Sequence, residues 1–237
     1  IQHAAVNGLE SVGDVWEQGG YLLRDSIGEV SNAREPLGLE FNGDYGRQHR
    51  GQPRLRVPQY MTPDLAYVLG FLLSEGHVTD TYAEVSSTEP DKLERYAACF
   101  HKVFGIRPDV KQSSTDRVAA DGTQRKAVYL ATLVSRELVA YLRQMEYTIS
   151  TDVLGRAAGQ IPSHVHRVPS CILRSRLHDK LAFLGAFING DGSVVKKRGA
   201  CNVRFYSSSL NLLRDIQTLI SDMGVMGRVR EQEQLVE

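Results

Sequence analysis

Cysteine is scarce in this chain, with three in 237 residues. Cys99, Cys171 and Cys201 lie far apart and form no CxxC pair, which speaks against a zinc ribbon or a disulfide framework and fits a reducing interior. Long hydrophobic runs are also missing. The longest apolar stretches extend about nine residues, against the ~20 needed to span a bilayer. The opening IQHAAVNGLE has the character of neither a signal peptide nor a transit peptide. No membrane partner is expected, and the expected location is inside the cell, in cytoplasm, nucleoid or nucleus. Net charge is absent too: 28 Lys and Arg balance 28 Asp and Glu, so bulk charge names no partner. There is no initiator methionine, as expected of a processed chain or a fragment. What is present is an ordinary globular composition, 42% hydrophobic and 24% charged, able to bury a core. The length suits one large domain or two small ones.

Against this plain background, two segments say the same thing twice. Residues 65–76 read LAYVLGFLLSEG and residues 181–192 read LAFLGAFINGDG. Each is an apolar run containing small residues, and each ends in one carboxylate followed by glycine. The acids, Glu75 and Asp191, are 191 − 75 = 116 positions apart.

The surrounding pattern repeats as well. Thr62-Pro63-Asp64 is a helix start, with Thr62 as N-cap, Pro63 at the first helical position and Asp64 in the first turn. Leu65–Leu73 carries no charge and is apolar all round, so this helix should be buried on every side; Gly76 stops it. His77–Ser87 reads as two short strands. Asp91–Phe104 is an amphipathic helix with Leu93, Ala97, Phe100 and Val103 on one face. Arg107–Lys111 and Ala127–Thr132 read as strands around a polar loop, and Ser135–Met145 as a helix. The second copy offers His178–Asn189 as the apolar helix, Ser193–Val195 and Asn202–Tyr206 as strands, and Leu210–Met223 as a helix with Leu213, Ile216, Leu219 and Ile220 inward. Val225–Arg230 should start the next strand. The copy then stops at Glu237 without its final strand and helix, as expected of truncation. The expected division is 1–60 as an N-terminal segment and linker, 61–150 as the first half, 151–177 as a linker and 178–237 as an incomplete second half. Residues 1–46 are acidic and glycine-interrupted. A basic stretch bracketed by Pro53 and Pro58 follows and reads as an extended linker. The acidic segment is either a remnant of a splicing module or an extra arm.

Gly70, Gly185 and Ala186 sit inside the apolar runs. Glycine weakens a helix by roughly 1 kcal/mol relative to alanine, so it needs a packing reason, and the natural one is close approach of another backbone. If the two helices cross at these residues, Glu75 and Asp191 emerge side by side. Two adjacent carboxylates repel, and one takes up a proton unless a cation lies between them. Mg²⁺ is the natural cation, since it prefers carboxylate oxygens, waters and substrate phosphate. Paired metal-bound carboxylates are a recurring arrangement for phosphodiester hydrolysis.

The segments VLGFLLSEG (68–76) and LGAFINGDG (184–192) resemble the two signature motifs of LAGLIDADG homing endonucleases, with wording closest to those lodged in inteins. The resemblance extends from about Met61 to Arg230 and includes the Val168-Pro169 step before the second motif. It implies an α+β fold of two pseudo-two-fold-related αββαββα halves forming a DNA-binding saddle, with the signature helices as their interface. It implies that Glu75 and Asp191, with the carbonyls of Ser74 and Gly190, bind Mg²⁺, for which Mn²⁺ can substitute. It also implies a monomeric hydrolase that cuts both strands of a long, specific double-stranded DNA target across the minor groove. Two departures stand out. Glu75 replaces the commoner aspartate. His166 occupies the position where members often carry a lysine that polarises the attacking water; it is the candidate base or orienter. Ile1 and Glu237 supply none of the residues that splicing needs.

Nucleic-acid binding needs local basic surface even at zero net charge. Candidates are Arg54 and Arg56 in the linker, Arg117, Arg125 and Lys126 on the first-half hairpin, and Arg167 before the second motif. The second half adds Lys196, Lys197, Arg198, Arg204, Arg228 and Arg230. If alternate strand residues face outward, such side chains reach the major groove, where base edges are distinguishable. Two other readings use the same scaffold: a DNA-binding regulator without cleavage, and an RNA maturase.

Overall fold

The computed structural model describes residue 37 and residues 55–79, 81–118, 122–147, 166–197 and 200–230. Arg54, Arg198, the acidic N-terminal segment apart from Leu37 and the expected linker around 151–165 lie outside the described residues, as do 231–237.

Helix α1 (Pro63–Glu75) begins where the sequence says it should. The Thr62 hydroxyl accepts the Leu65 N–H at 3.2 Å, Pro63 opens the first turn, and Asp64 complements its positive end. Every residue from Leu65 to Leu73 is buried, because neighbours cover the helix on all sides. Its end differs from the usual glycine stop. Gly76 is extended (φ −101°) and runs directly into strand β1 (Gly76–Val78), so the acid stands at the helix–strand junction.

Strand β2 (Tyr82–Ser87) leads to α2 (Pro90–Phe104), whose buried face includes Leu93, Ala97, Phe100 and Val103. Gly105 ends α2 at φ +77°, its N–H returning to the His101 carbonyl at 2.8 Å. This is the left-handed cap that glycine takes without Cβ strain. Strands β3 (Asp109–Ser114) and β6 (Val128–Val134) flank a small hairpin, β4 (Arg117–Val118) with β5 (Gln124–Arg125), inside the loop read as irregular. The main sheet is antiparallel, in the order β1-β2-β6-β3. Helix α3 (Arg136–Gln144) starts at Ser135, whose hydroxyl accepts the Leu138 N–H at 3.1 Å.

A one-turn helix, α4 (Ser170–Leu173), precedes α5 (Leu177–Asp191). Gly192 opens β7 (Gly192–Lys197), which pairs with β8 (Ala200–Phe205), and α6 (Leu210–Asp222) follows. The same junction therefore recurs: Gly76 faces Val85 across β1–β2, and Gly192 faces Phe205 across β7–β8.

Helices α1 and α5 make the most extensive contact between any two elements. A side-chain carbon on Gly70 would overlap the Phe183 carbonyl oxygen and lie 3.2 Å from the Ala186 side chain. Aromatic rings extend the core outward from this crossing. Phe71, Tyr96, Phe100, Phe104 and Tyr141 form a chain with centroids 5.6, 5.8, 4.5 and 5.6 Å apart, close enough for favourable tilted and edge contacts.

Two expectations are corrected. Val225–Arg230 is not a strand: Gly224 turns at φ +73°, and the chain folds back on α6, with the Val225 N–H on the Ile220 carbonyl at 3.0 Å and the Gln217 amide on the Gly227 carbonyl at 2.9 Å. No strand among the described residues pairs with this segment. On α6, Leu212 rather than Leu213 is buried, with Ile216, Leu219 and Met223. The inward stripe runs Leu212, Ile216, Leu219 and Met223, one residue earlier than expected at its start, and Leu213 is only partly buried.

Candidate active site

The site lies where α1 and α5 end together. Beyond the Gly70 crossing the helices stay in contact to their last residues. A side-chain carbon on Gly190 would overlap Ser74 Oγ and stand 2.8 Å from Cγ of Glu75. Glycine at 190 is thus what lets the Asp191 end reach the Glu75 end. Ser74 turns its hydroxyl back to the Phe71 carbonyl at 3.1 Å, away from competition with the acids. Gly185 is half-buried and stands one residue before the Ala186 contact.

The two acids sense each other. Partial burial and the negative charge of Glu75 push the Asp191 carboxyl up to about 6, although the residue keeps an exposed face. Burial also raises Glu75; the Lys92 charge offsets this in part, and Glu89 adds to it. The local field is negative for a further reason. Neither helix has a basic residue in its last turn, so two negative dipole ends converge on two carboxylates. Lys92 is the cation nearest in effect. Its Nζ donates to the Asn189 carbonyl at 2.8 Å and pairs with Glu89 at 2.7 Å.

This donor set suits a hard divalent cation. It offers two carboxylates at neighbouring helix ends, Glu75 half-buried and Asp191 exposed, and carboxylate oxygens are the ligands that Mg²⁺ prefers. No group of three or more His, Cys, Asp or Glu side chains is placed to hold a metal ion among the described residues. Cys99 and Cys171 are buried, and burial pushes each thiol up to about 12, far from a metal-binding thiolate.

Behind the acids, Tyr67 is stacked on Phe71 with the Arg95 guanidinium 4.7 Å above its ring. Its hydroxyl is buried beside Asn189 without a well-formed hydrogen bond, and burial pushes it up to about 12.

His166 is half-buried. Its carbonyl accepts the Ser209 hydroxyl at 2.6 Å, which ties it to the start of α6. Arg167, read as a DNA contact, spends its guanidinium on Asp215 in a two-pronged pair of 2.8 and 3.1 Å. Asp215 also accepts the Val168 N–H at 3.1 Å. Sequence reading missed this clasp, because its partners are 48 residues apart and Asp215 looks like one more surface acid on an amphipathic helix.

The remaining basic candidates divide clearly. Arg117 and Arg125 are exposed and face each other directly across the β4–β5 hairpin, with exposed Lys126 alongside. Like charges placed opposite destabilise a hairpin on their own, so this pair suits a polyanion above it. Arg204 is exposed on β8, and Arg228 and Arg230 are exposed beyond α6. Arg56 is exposed while its N–H is fixed to the Phe104 carbonyl at 2.8 Å. Lys196 and Lys197 lie on β7. Among the described residues no helix is long and apolar enough to cross a membrane.

Comparison with known proteins gives three results. The model of a family described as a LAGLIDADG-like domain matches residues 179–235. Over 210 residues, 87% of this chain, the sequence is 21% identical to a ribonucleoside-diphosphate reductase chain of Bacillus subtilis (strain 168), NrdEB, and the match spans 17% of that protein. The same figures hold for the corresponding reductase chain of Bacillus phage SPbeta. Over 166 residues, 69% of this chain, it is 25% identical to a DNA gyrase chain of Mycobacterium kansasii, spanning 27% of that protein.

Proposed function

We propose that this chain, whose residues 179–235 match the model of a LAGLIDADG-like domain, is a site-specific double-strand DNA endonuclease that hydrolyses phosphodiesters with Mg²⁺ and is carried as an insert within a host protein, as an intein endonuclease is. The observation that carries the catalytic part is the packing of Gly190 on Ser74 and Glu75, which brings the two helix-terminal acids to one place. The insert reading has separate support. The chain resembles short portions of a reductase and of a gyrase. One module matching parts of two differently named enzymes belongs to the activity of neither.

In this reading Glu75 and Asp191, with the carbonyls of Ser74 and Gly190, hold the cation. A divalent cation held there would supply Lewis acidity toward the attacking water and the departing oxygen. The protein does the rest by position. The α1–α5 crossing fixes the spacing of the carboxylates before substrate arrives, so little reorganisation is needed at the reacting phosphate. The exposed face of Asp191 leaves a path for the phosphate. Arg117, Arg125, Lys126, Arg204, Arg228 and Arg230 supply phosphate and base contacts along a duplex, the former setting register and the latter sequence. His166 is the candidate to orient water.

The test is to incubate the protein with Mg²⁺ and a plasmid carrying the host gene's uninterrupted insertion site. Linearisation that disappears in Asp191→Asn supports the nuclease. Tight, sequence-selective binding with no cutting overturns it in favour of a regulator, and preference for a structured intron RNA in favour of a maturase.

A further inference from the structure

Lys92 sits in an electrostatically poor position for a lysine. It is the third residue of α2, within the first turn, where the helix dipole disfavours a cation. No apolar stripe explains it, since the buried face of α2 is carried by its neighbours Leu93, Tyr96 and Ala97. Its side chain is only 29% exposed, so ordering it has an entropic cost. Beyond the pair with its own N-cap residue Glu89, what it gains is on another helix. Nζ reaches 97 positions along the chain to the Asn189 carbonyl, two residues before Asp191, at 2.8 Å. Glu89 holds the same ammonium from the other side at 2.7 Å. The Lys92 charge also acts on Glu75. One side chain thus bonds the end of one signature helix while it stabilises the carboxylate that ends the other.

From this geometry we infer that Lys92 is a positioning residue for the metal centre: it pins the last turn of α5 beside Glu75 and so sets the spacing of the two carboxylates. The inference rests on the proposed function. Lys92 does not touch the reacting phosphate; it acts through the Asn189 carbonyl and the field at Glu75. The third residue of α6 is the buried Leu212, so the device serves the pair of acids once and not twice. An arginine can reproduce both the bond and the charge, whereas a methionine keeps the length and apolar stem and loses both.

The experiment measures Tb³⁺ and Mn²⁺ affinity of the full chain by luminescence and calorimetry, with Tm measured in parallel, for the wild type, Lys92→Met, Lys92→Arg and Asp191→Asn. Loss of a ligand-orienting partner lowers metal affinity by about 10- to 100-fold. That drop is expected in Lys92→Met, with Tm nearly unchanged and with most of the affinity restored in Lys92→Arg. Wild-type affinity in Lys92→Met overturns the inference, as does a drop that arginine fails to restore. The parallel loss in Asp191→Asn keeps the two claims apart. If Asp191→Asn loses metal while Lys92→Met does not, the metal centre stands and the positioning role falls. If neither changes affinity, the metal centre itself falls, and this role with it.

Discussion

Gly190 is packed directly on Glu75: a side-chain carbon at position 190 would lie 2.8 Å from Glu75 Cγ. The residue before one helix-terminal acid therefore touches the other acid, and the mutual repulsion of Asp191 and Glu75 follows from that contact.

Removing either charge should separate binding from cutting. Glu75→Gln and Asp191→Asn are expected to reduce cleavage about a thousandfold or more, the equivalent of several kcal/mol of transition-state stabilisation. Gel-shift affinity for the same DNA should stay within a few-fold. Because each substitution relieves like-charge crowding, Tm without metal should rise or hold, and full cleavage activity in either variant would contradict the assigned roles.

The glycines at the crossing should be intolerant for different reasons. Gly70→Ala meets a backbone carbonyl, which cannot rotate away, so the helices must separate at a cost of about 1–3 kcal/mol. Gly190→Ala meets the side chains of Ser74 and Glu75, which can move. Its stability loss should be smaller and its loss of metal affinity larger. Chemical denaturation and metal titration of the two variants check this ordering.

Asp191 sets a pH dependence whose sign can be worked out. Its carboxyl is raised from 3.8 in the absence of structure to about 6 in the fold. A raised carboxylate contributes stability while protonated, below the unfolded value, and loses it as pH climbs through about 6. Without metal, Tm of the wild type relative to Asp191→Asn should therefore decline between pH 4 and 7. Metal binding needs the ionised form, so Mn²⁺ affinity should fall as pH drops below about 6. Parallel pH series of melting and calorimetry read both trends.

The facing arginines predict a specific salt response. Arg125→Gln should reduce the slope of log affinity against log salt by about one unit, the loss of one phosphate contact. The hairpin itself should gain a few tenths of a kcal/mol, because Arg117 no longer faces a like charge. An unchanged slope would remove this hairpin from the DNA-contacting surface.

Much of this is legible in one dimension. Thr62, Pro63 and Asp64 announce a helix by local chemistry, since capping acts within four residues. The all-round apolar run of Leu65–Leu73 announces burial. Leu93, Ala97, Phe100 and Val103 announce a face because side chains three or four apart share one. The paired acid-glycine endings are also visible to the eye. Other features are not. Leu213 competes with Leu212 for the inward position because the two stripes differ by one residue, and packing against the rest of the core selects the stripe that contains Leu212. Val225–Arg230 has the alternation of a strand, but a strand needs a partner, and the segment folds back on α6 instead.

The sequence by itself determined the local elements, the duplicated motif and the two carboxylates, because these depend on neighbours a few residues apart. Only the tertiary structure decided which small residues touch. Gly70 meets Phe183, Gly190 meets Glu75, Lys92 reaches Asn189, and Arg167 is committed to Asp215. Those contacts join residues far apart in the chain, and their geometry is set by how separate elements pack together, which no local pattern encodes.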